Sequence, residues 1–521
     1  MKNDFAMKFF AFKLRQSLFS NLILAIPLIC ICLQILTRAD GYLNSDTSSF
    51  IILAHESLKQ SSLFPNTFYY GNGDFLLGPN IPAALIIFLG GSDHLALVLA
   101  LEFFAVVTWL SFYFLAKQMT VRKFPIFVAL TTLFCCLSDQ SNFFLFFQSS
   151  YSLVVISSFL ALAWYIRIVR FTDWSIRDLT FLFVSQIPLL LQNPIREVVW
   201  ILVPLSITEI YRFFSSVAVN KKKIKNWFKI LSIGSLIFGV TFIFRLYLQS
   251  RLNTSYGILG AGYLIPNEAL THLGNVFTGF MSYMDFMPAH TASLLSLNGL
   301  TSTAHIFFFL LFSFTVVRAF KFADLRLKLA LLFCIVSFTI TLDQLLFTGL
   351  YADSGSFRYL LPSCLPAFTI AVFWIFRESL RINTTFKILV ICSVGLLASA
   401  QTCLNVKNPP IRANSFTPLK SSLARDTSIP VLASFWNANL LQVDSNEKIE
   451  ARPIILSKTD CITPYKWLTI KSNEFIPNSF WMLLSKEEFI DFNGSASCKK
   501  FNSRASIIKL TPDQVLIKVG P

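Results

Sequence analysis

Charge is scarce in this chain. Charged side chains occupy 14% of the 521 positions, against 54% apolar and 15% aromatic residues, and the mean hydropathy is +0.61. That balance excludes an ordinary soluble globular protein and reads as a polytopic membrane protein. Alternation of apolar and polar residues is missing from the long apolar runs, which excludes a transmembrane β-barrel. The ten cysteines include no CxxC pair, and His55, His94, His272, His290 and His305 stand at no zinc-binding spacing. The sequence also lacks a glycine-rich nucleotide loop, GxSxG, HExxH and a DxxD-type cytosolic acidic motif, so no energy input from cytosolic nucleotide is legible. Internal repeats and paired interrupted helices of the transporter kind are absent as well.

What charge there is has one sign. The formal net charge is +16, yet the basic residues sit in short clusters between apolar runs rather than in an aromatic-interleaved patch. Nucleic acid is therefore rejected as a partner. The clusters at Lys2–Arg15, Lys117–Lys123, Arg167–Arg177, Lys221–Lys229, Arg318–Lys328 and Arg377–Lys387 all fall on one side if the chain crosses the membrane about eleven times. This predicts an all-α polytopic protein with a cytoplasmic N-terminus, held by a retained signal anchor over Leu18–Leu36. Ile388–Leu404 is the last crossing. Outer loops are expected over 37–80 and 249–304, within a membrane domain of residues 1–404.

After Asn405 the chain turns polar. Apolar runs at Ile429–Phe435, Phe480–Leu484, Ala505–Leu510 and Val515–Val519 alternate with turn residues such as Pro430, Pro453, Pro464 and Asn493-Gly494. They predict strands in a small extracytoplasmic α+β domain over 405–521. Cys461 and Cys498, both in this domain, are expected to pair there because the outer compartment permits disulfides.

The first outer loop carries Asp40, Asp46, His55, Glu56 and Asp74. Its Ser48–Leu63 stretch has apolar residues at Phe50, Ile51, Leu53, Ala54, Leu58 and Leu63, a spacing that suits a helix lying flat on the interface. A carboxylate beside such a helix can act as a general base on a lipid-carried substrate, or simply face water. Asp46 is preferred over Asp40, which follows the first span directly. Asp46 can equally be an N-cap of the helix. Two further outer features contain arginine. Asn193-Pro194-Ile195-Arg196-Glu197 is readable as an anion site or as an ion pair closing a hairpin. Arg358-Tyr359 crowns a span, where a guanidinium suits phosphate oxygens or anchors the helix at the interface. Asp285 and the aromatics around it lie in the 249–304 loop. Glu102 and Asp343 are the acids placed deepest in apolar segments, where they suit an ion path.

These stretches together resemble the GT-C superfamily of membrane glycosyltransferases. The resemblance rests on Asp40-Gly41-Tyr42-Leu43-Asn44-Ser45-Asp46 with the helix after it, on Arg358-Tyr359, and on the tail from Ile429 through Ser434-Phe435-Trp436-Asn437-Ala438. It implies a bacterial inner-membrane enzyme acting on the outer face, with a sugar donor carried on polyprenyl phosphate. Asp46, or Asp40, would be catalytic, and Arg358, Arg196 and Tyr359 would hold the donor phosphate. Asp74, His55, Glu56, Glu197 and Asp285 would support the acceptor, which is a glycan, lipid or protein. The adjacent Asp-Glu pair and the WWDYG-like signature of some members are missing, so a divalent cation is permitted but required by no motif. A flippase, or a polymerase or ligase, of lipid-linked glycans is the alternative.

Overall fold

The structure is a computed structural model. It describes residues 22–521 apart from 72–76, 120–121, 172–173, 216–220, 255–265, 284–292, 294, 323, 349–353, 377–383, 408–418, 420–428, 446–447, 458 and 510–513. Among the described residues, six helices are long and apolar enough to cross a membrane: Leu22–Tyr42, Asp93–Met119, Ser152–Val169, Lys225–Arg251, Leu325–Phe347 and Gly355–Ile375. The pair Lys123–Cys135 and Asp139–Phe147, bent by 92°, makes a seventh if it is one span. The other expected crossings fall on Ile176–Val184 with Ile187–Gln192, on Val203–Phe214, on Leu297–Phe322 and on Thr384–Lys407. Several of these are too short to span by themselves. The chain divides into two compact units. The expected boundary at 404/405 follows chain order, whereas each compact unit gathers three separate segments.

The first unit comprises 1–37, 104–242 and 260–409. Its core joins Val154, Ala161 and Ile168 of one helix to Leu179, Leu182 and Leu189 of the next two, with Trp200 and Ile201. Small residues let these helices approach closely: Ser157, Ser158, Ala161 and Ala163 are all buried on the Ser152–Val169 helix. The hydroxyls of Ser337 and Ser363 meet at 2.7 Å and tie Leu325–Phe347 to Leu361–Ile375. The 92° bend follows from a cap. Ser138 accepts a hydrogen bond from the Ser141 amide at 3.1 Å and starts a new helix in a new direction.

The second unit comprises 38–103, 243–259 and 410–521. Its six-stranded mixed sheet runs in the order Cys461–Pro464, Ala451–Ser457, Val431–Ser434, Phe480–Ser485, Gln514–Val519, Ala505–Lys509. Val431–Ser434 pairs in parallel with both neighbours, and the Phe435–Asp444 helix joins it to Ala451–Ser457 as a βαβ crossover. The four strands expected from apolar runs are all present. Ala451–Ser457 and Cys461–Pro464, broken by Pro453 and Pro464, were not anticipated. Cys461 and Cys498 are bonded, with Cα atoms 5.0 Å apart, inside the apolar core that also holds Met482, Phe492 and Ile517. A second, three-stranded sheet sets Phe68–Tyr70 between Asn253–Thr254 and Thr469–Ile470.

The interfacial helix departs from expectation. It spans Ser45–Lys59, and besides Phe50–Ala54 it buries Ser45, Thr47, Ser48, Ser49, Glu56 and Ser57. Rather than lying flat with one face in water, it is enclosed between the Asn80–Phe88 and Phe435–Asp444 helices. Polar residues on the expected wet face made enclosure illegible, because their partners come from residues nearly four hundred positions away. Ser45 donates a hydrogen bond to the Phe435 carbonyl, and Asn439 donates to the Ser49 hydroxyl at 2.9 Å.

Candidate functional site

In the second unit the acids of the first loop divide by partner. Asn44, not Asp46, caps the Ser45–Lys59 helix: its side chain accepts from the Thr47 amide, while Thr47 Oγ1 accepts from the Asn44 amide, both at 2.9 Å. The capping alternative for Asp46 is thereby corrected. Asp46 is half-buried in the first helical turn, where its charge is favoured by the helix N-terminus. The Tyr465 ring packs at 5.6 Å on Phe435, whose carbonyl holds Ser45. Burial, and then the charge of Asp46, push the Tyr465 phenol above its ordinary range. Tyr465 was not anticipated, since only the fold brings the C-terminal sheet to the first loop.

Asp40 lies with His94, Oδ1 to Nδ1 at 2.8 Å, and both side chains are largely exposed. His55 lies with Asp93, Nε2 to Oδ1 at 2.7 Å. Asp93 and His94 open the Asp93–Met119 helix, so one helix start supplies partners to both expected site residues. Their adjacency in Ser92-Asp93-His94 was the available signal. Glu56 is 3% exposed and accepts a hydrogen bond from the Thr67 hydroxyl, which makes it a brace of the loop interior. Asp74 and Asp285 lie outside the described residues.

In the first unit the two expected arginines come together through aromatic rings. Arg196 lies over Tyr151 at 5.3 Å and over Trp200 at 5.7 Å. Arg358 lies over Tyr359 at 5.0 Å and over Phe144 at 5.2 Å. Tyr151 and Tyr359 stand edge to face at 5.7 Å, and the Trp200 indole donates to the Tyr359 carbonyl at 3.0 Å. The cluster thus links three segments that are distant in sequence. Tyr151, Trp200 and Phe144 were missed, because an aromatic beside a span reads as an ordinary interfacial anchor. A guanidinium held over a ring face keeps its charge and its forked donors, which suit an oxyanion.

The local backbone sets this up. Asn193 caps a short turn by accepting from the Arg196 amide at 3.1 Å, with Pro194 at its first position. Val198–Leu202 then forms a π-helical turn before the chain continues as Val203–Phe214. Such widened turns rotate the following side chains and recur at functional sites. The expected Arg196–Glu197 ion pair does not form. Glu197 is fully buried, with neither carboxyl oxygen hydrogen-bonded among the described residues. Neighbours in a helical turn point apart, which is the physical reason.

A narrow groove with room for about 30 Å³ has Phe357, the sequence neighbour of Arg358, in its lining. It runs between Lys123–Cys135 and Leu361–Ile375 and is lined mainly by apolar side chains such as Leu133, Leu361, Leu365 and Phe368. Among the described residues, no three His, Cys, Asp or Glu gather as a metal-binding set. Glu102 is half-buried and Asp343 exposed on the protein surface, and the acids buried among the described residues are Glu56, Asp178, Glu197 and Glu209.

No protein-family model matches the chain, and no curated protein is similar to it in sequence. Solved structures do share its fold. The crystal structure of ArnT from Cupriavidus metallidurans bound to undecaprenyl phosphate superposes with a TM-score of 0.57 at 10% identity, over 96% of this chain and 99% of that one. The apo state of the same protein gives 0.56 at 9% identity, over 97% and 100%. This chain therefore shares the fold of ArnT over nearly its whole length.

Proposed function

We propose that this protein is an integral-membrane glycosyltransferase that moves a sugar from a polyprenyl-phosphate carrier to an acceptor hydroxyl at the outer face of the cytoplasmic membrane. The observation that carries the reading is the pair of ring-held arginines, Arg196 and Arg358, beside an apolar groove. A lipid phosphate is the ligand that needs both features at once. The arginine cluster takes the phosphate, with Tyr359 beside it, and the groove takes the start of the prenyl chain.

Roles are assigned unit by unit. In the first unit, the C1–O bond of the donor sugar breaks, its electron pair stays on the phosphate, and the guanidinium groups stabilise that charge. In the second unit, Asp46 is the base that accepts the acceptor's hydroxyl proton, with Tyr465 positioning it. Asp40 and His55 are held by their own partners and support the acceptor surface. Glycan, lipid and protein acceptors fit this scheme alike, and the mechanism inverts the anomeric centre.

The test is product analysis on purified protein in liposomes supplied with radiolabelled polyprenyl-phosphate sugars. Labelled product that depends on both Arg358 and Asp46 supports the reading. Movement of the intact donor between leaflets with no change in the sugar linkage would instead make the protein a flippase.

A further inference from the structure

Glu197 is a cost to the fold with no visible return. Its side chain is fully enclosed, and neither oxygen meets a hydrogen-bond donor among the described residues. Burying an unpaired carboxylate is among the most unfavourable things a protein can do, and the group responds by keeping its proton. Burial pushes the Glu197 carboxyl well above the usual carboxylate range. Yet it sits one residue from Arg196, at the head of the π-helical turn that places Trp200 against Tyr359.

Among the described residues, the elements packed around it offer its carboxyl no hydrogen-bonded counter-charge. Ile187–Gln192 and Val198–Leu202 carry no titratable side chain. On Val203–Phe214, Tyr211 is exposed, and Glu209 is taken by Arg212 at 2.8 Å and by Tyr165 of Ser152–Val169 at 2.9 Å. Arg167 of that same helix pairs with Asp178 at 3.3 Å. On Leu325–Phe347, Arg326 and Lys328 lie in the first turns, Cys334 is buried and Asp343 is exposed. The contact with Trp200 comes from Ser337 at 3.0 Å, about 16 Å along the helix from Arg326. Arg358, with Tyr359 and Tyr151, completes the set.

We infer that Glu197 is a positioning residue that links a proton to phosphate binding: as the neutral acid it leaves the full charge of Arg196 and Arg358 to a lipid phosphate, and when ionised it opposes that phosphate. The inference rests on the arginine cluster being the phosphate site. It is reciprocal by linkage, so a bound phosphate holds the proton on Glu197 and phosphate release lets it leave. Two like charges on the order of 10 Å apart, at an effective dielectric near 20, oppose each other enough to weaken binding by on the order of tenfold. The sign is definite. Binding is strong below the raised carboxyl value and falls as pH rises through it. The second ionisation of the phosphate, near about pH 6, strengthens binding on the acid side and is separable.

The experiment measures binding of undecaprenyl phosphate to the full-length protein in detergent micelles, from pH 6 to pH 10, by tryptophan fluorescence. Wild type should lose about tenfold in affinity across an alkaline limb. Glu197→Gln and Glu197→Met, which cannot ionise, should both bind with the neutral-pH affinity of wild type and show no such limb. A limb that persists in both variants, or a loss of binding in both at neutral pH while they remain folded, would overturn the inference. Arg358→Gln is measured beside them. If it binds as wild type does, the phosphate reading of the cluster fails; if it loses binding while the limb survives in the Glu197 variants, only the Glu197 inference fails.

Discussion

The two compact units handle charge in opposite ways. In the first, cations are held by rings: Arg196 and Arg358 rest on Tyr151, Trp200, Tyr359 and Phe144, and the nearby acid is kept out of any pair. In the second, acids are held by polar partners: Asp40 by His94, Asp93 by His55 and Glu56 by Thr67, while Asp46 stands in a helix turn capped by Asn44. A ring stabilises a guanidinium without cancelling its charge. A histidine or hydroxyl holds a carboxylate in place but also competes for its lone pairs. The contrast predicts where substitution should hurt chemistry and where it should hurt only the fold.

The sharpest break in that comparison is Asp46→Asn. Asn44 keeps the cap, so the protein should fold as before, while sugar transfer falls by roughly 100-fold or more. Near-normal turnover would remove Asp46 from the reaction and leave Asp40, freed from His94, as the next acid to test. Asp40→Asn should by contrast cost only a few-fold, read in the same assay.

Loss of the ring-held charge comes next. Arg358→Gln should raise the donor KM by about tenfold or more, as expected for a charge-assisted contact to phosphate, which contributes about 1.5–3 kcal/mol. Arg358→Lys should restore only part of it, because an ammonium lacks the planar fork. Equal activity in Lys and Gln variants would mean that charge is irrelevant there and that the ring contact is only an anchor.

Smaller effects should stay within stability. Replacing Cys461 and Cys498 by Ser removes a link across 37 residues and should destabilise the six-stranded sheet by about 2–4 kcal/mol, seen as increased protease sensitivity of the C-terminal region. Asn44→Ala, which removes the cap, should cost about 1 kcal/mol, measured as a lower thermal midpoint in detergent, with little change in kcat. A large kcat loss in Asn44→Ala would show that the turn geometry holding Asp46 is part of catalysis.

Some of this was legible in the chain itself. Apolar runs bounded by basic clusters specify a polytopic helical protein, because burial and the cost of charge in lipid act on composition and need no partner. The four apolar runs of the tail became strands for the same local reason, and the Cys461–Cys498 pair followed from two thiols in one polar domain. Arg196 and Arg358 could be picked out as charges at the ends of apolar segments. Tertiary structure decided the rest. That these arginines share one aromatic cluster, that Asp93 and His94 hold His55 and Asp40, that Ser45–Lys59 is enclosed, and that Tyr465 reaches Asp46 all depend on contacts between distant segments. Glu197 is the clearest case. Beside Arg196 in the sequence it reads as half of an ion pair; in the fold it is an enclosed, unpaired acid, because a helical turn points its neighbours apart and only packing decides which of them meets water.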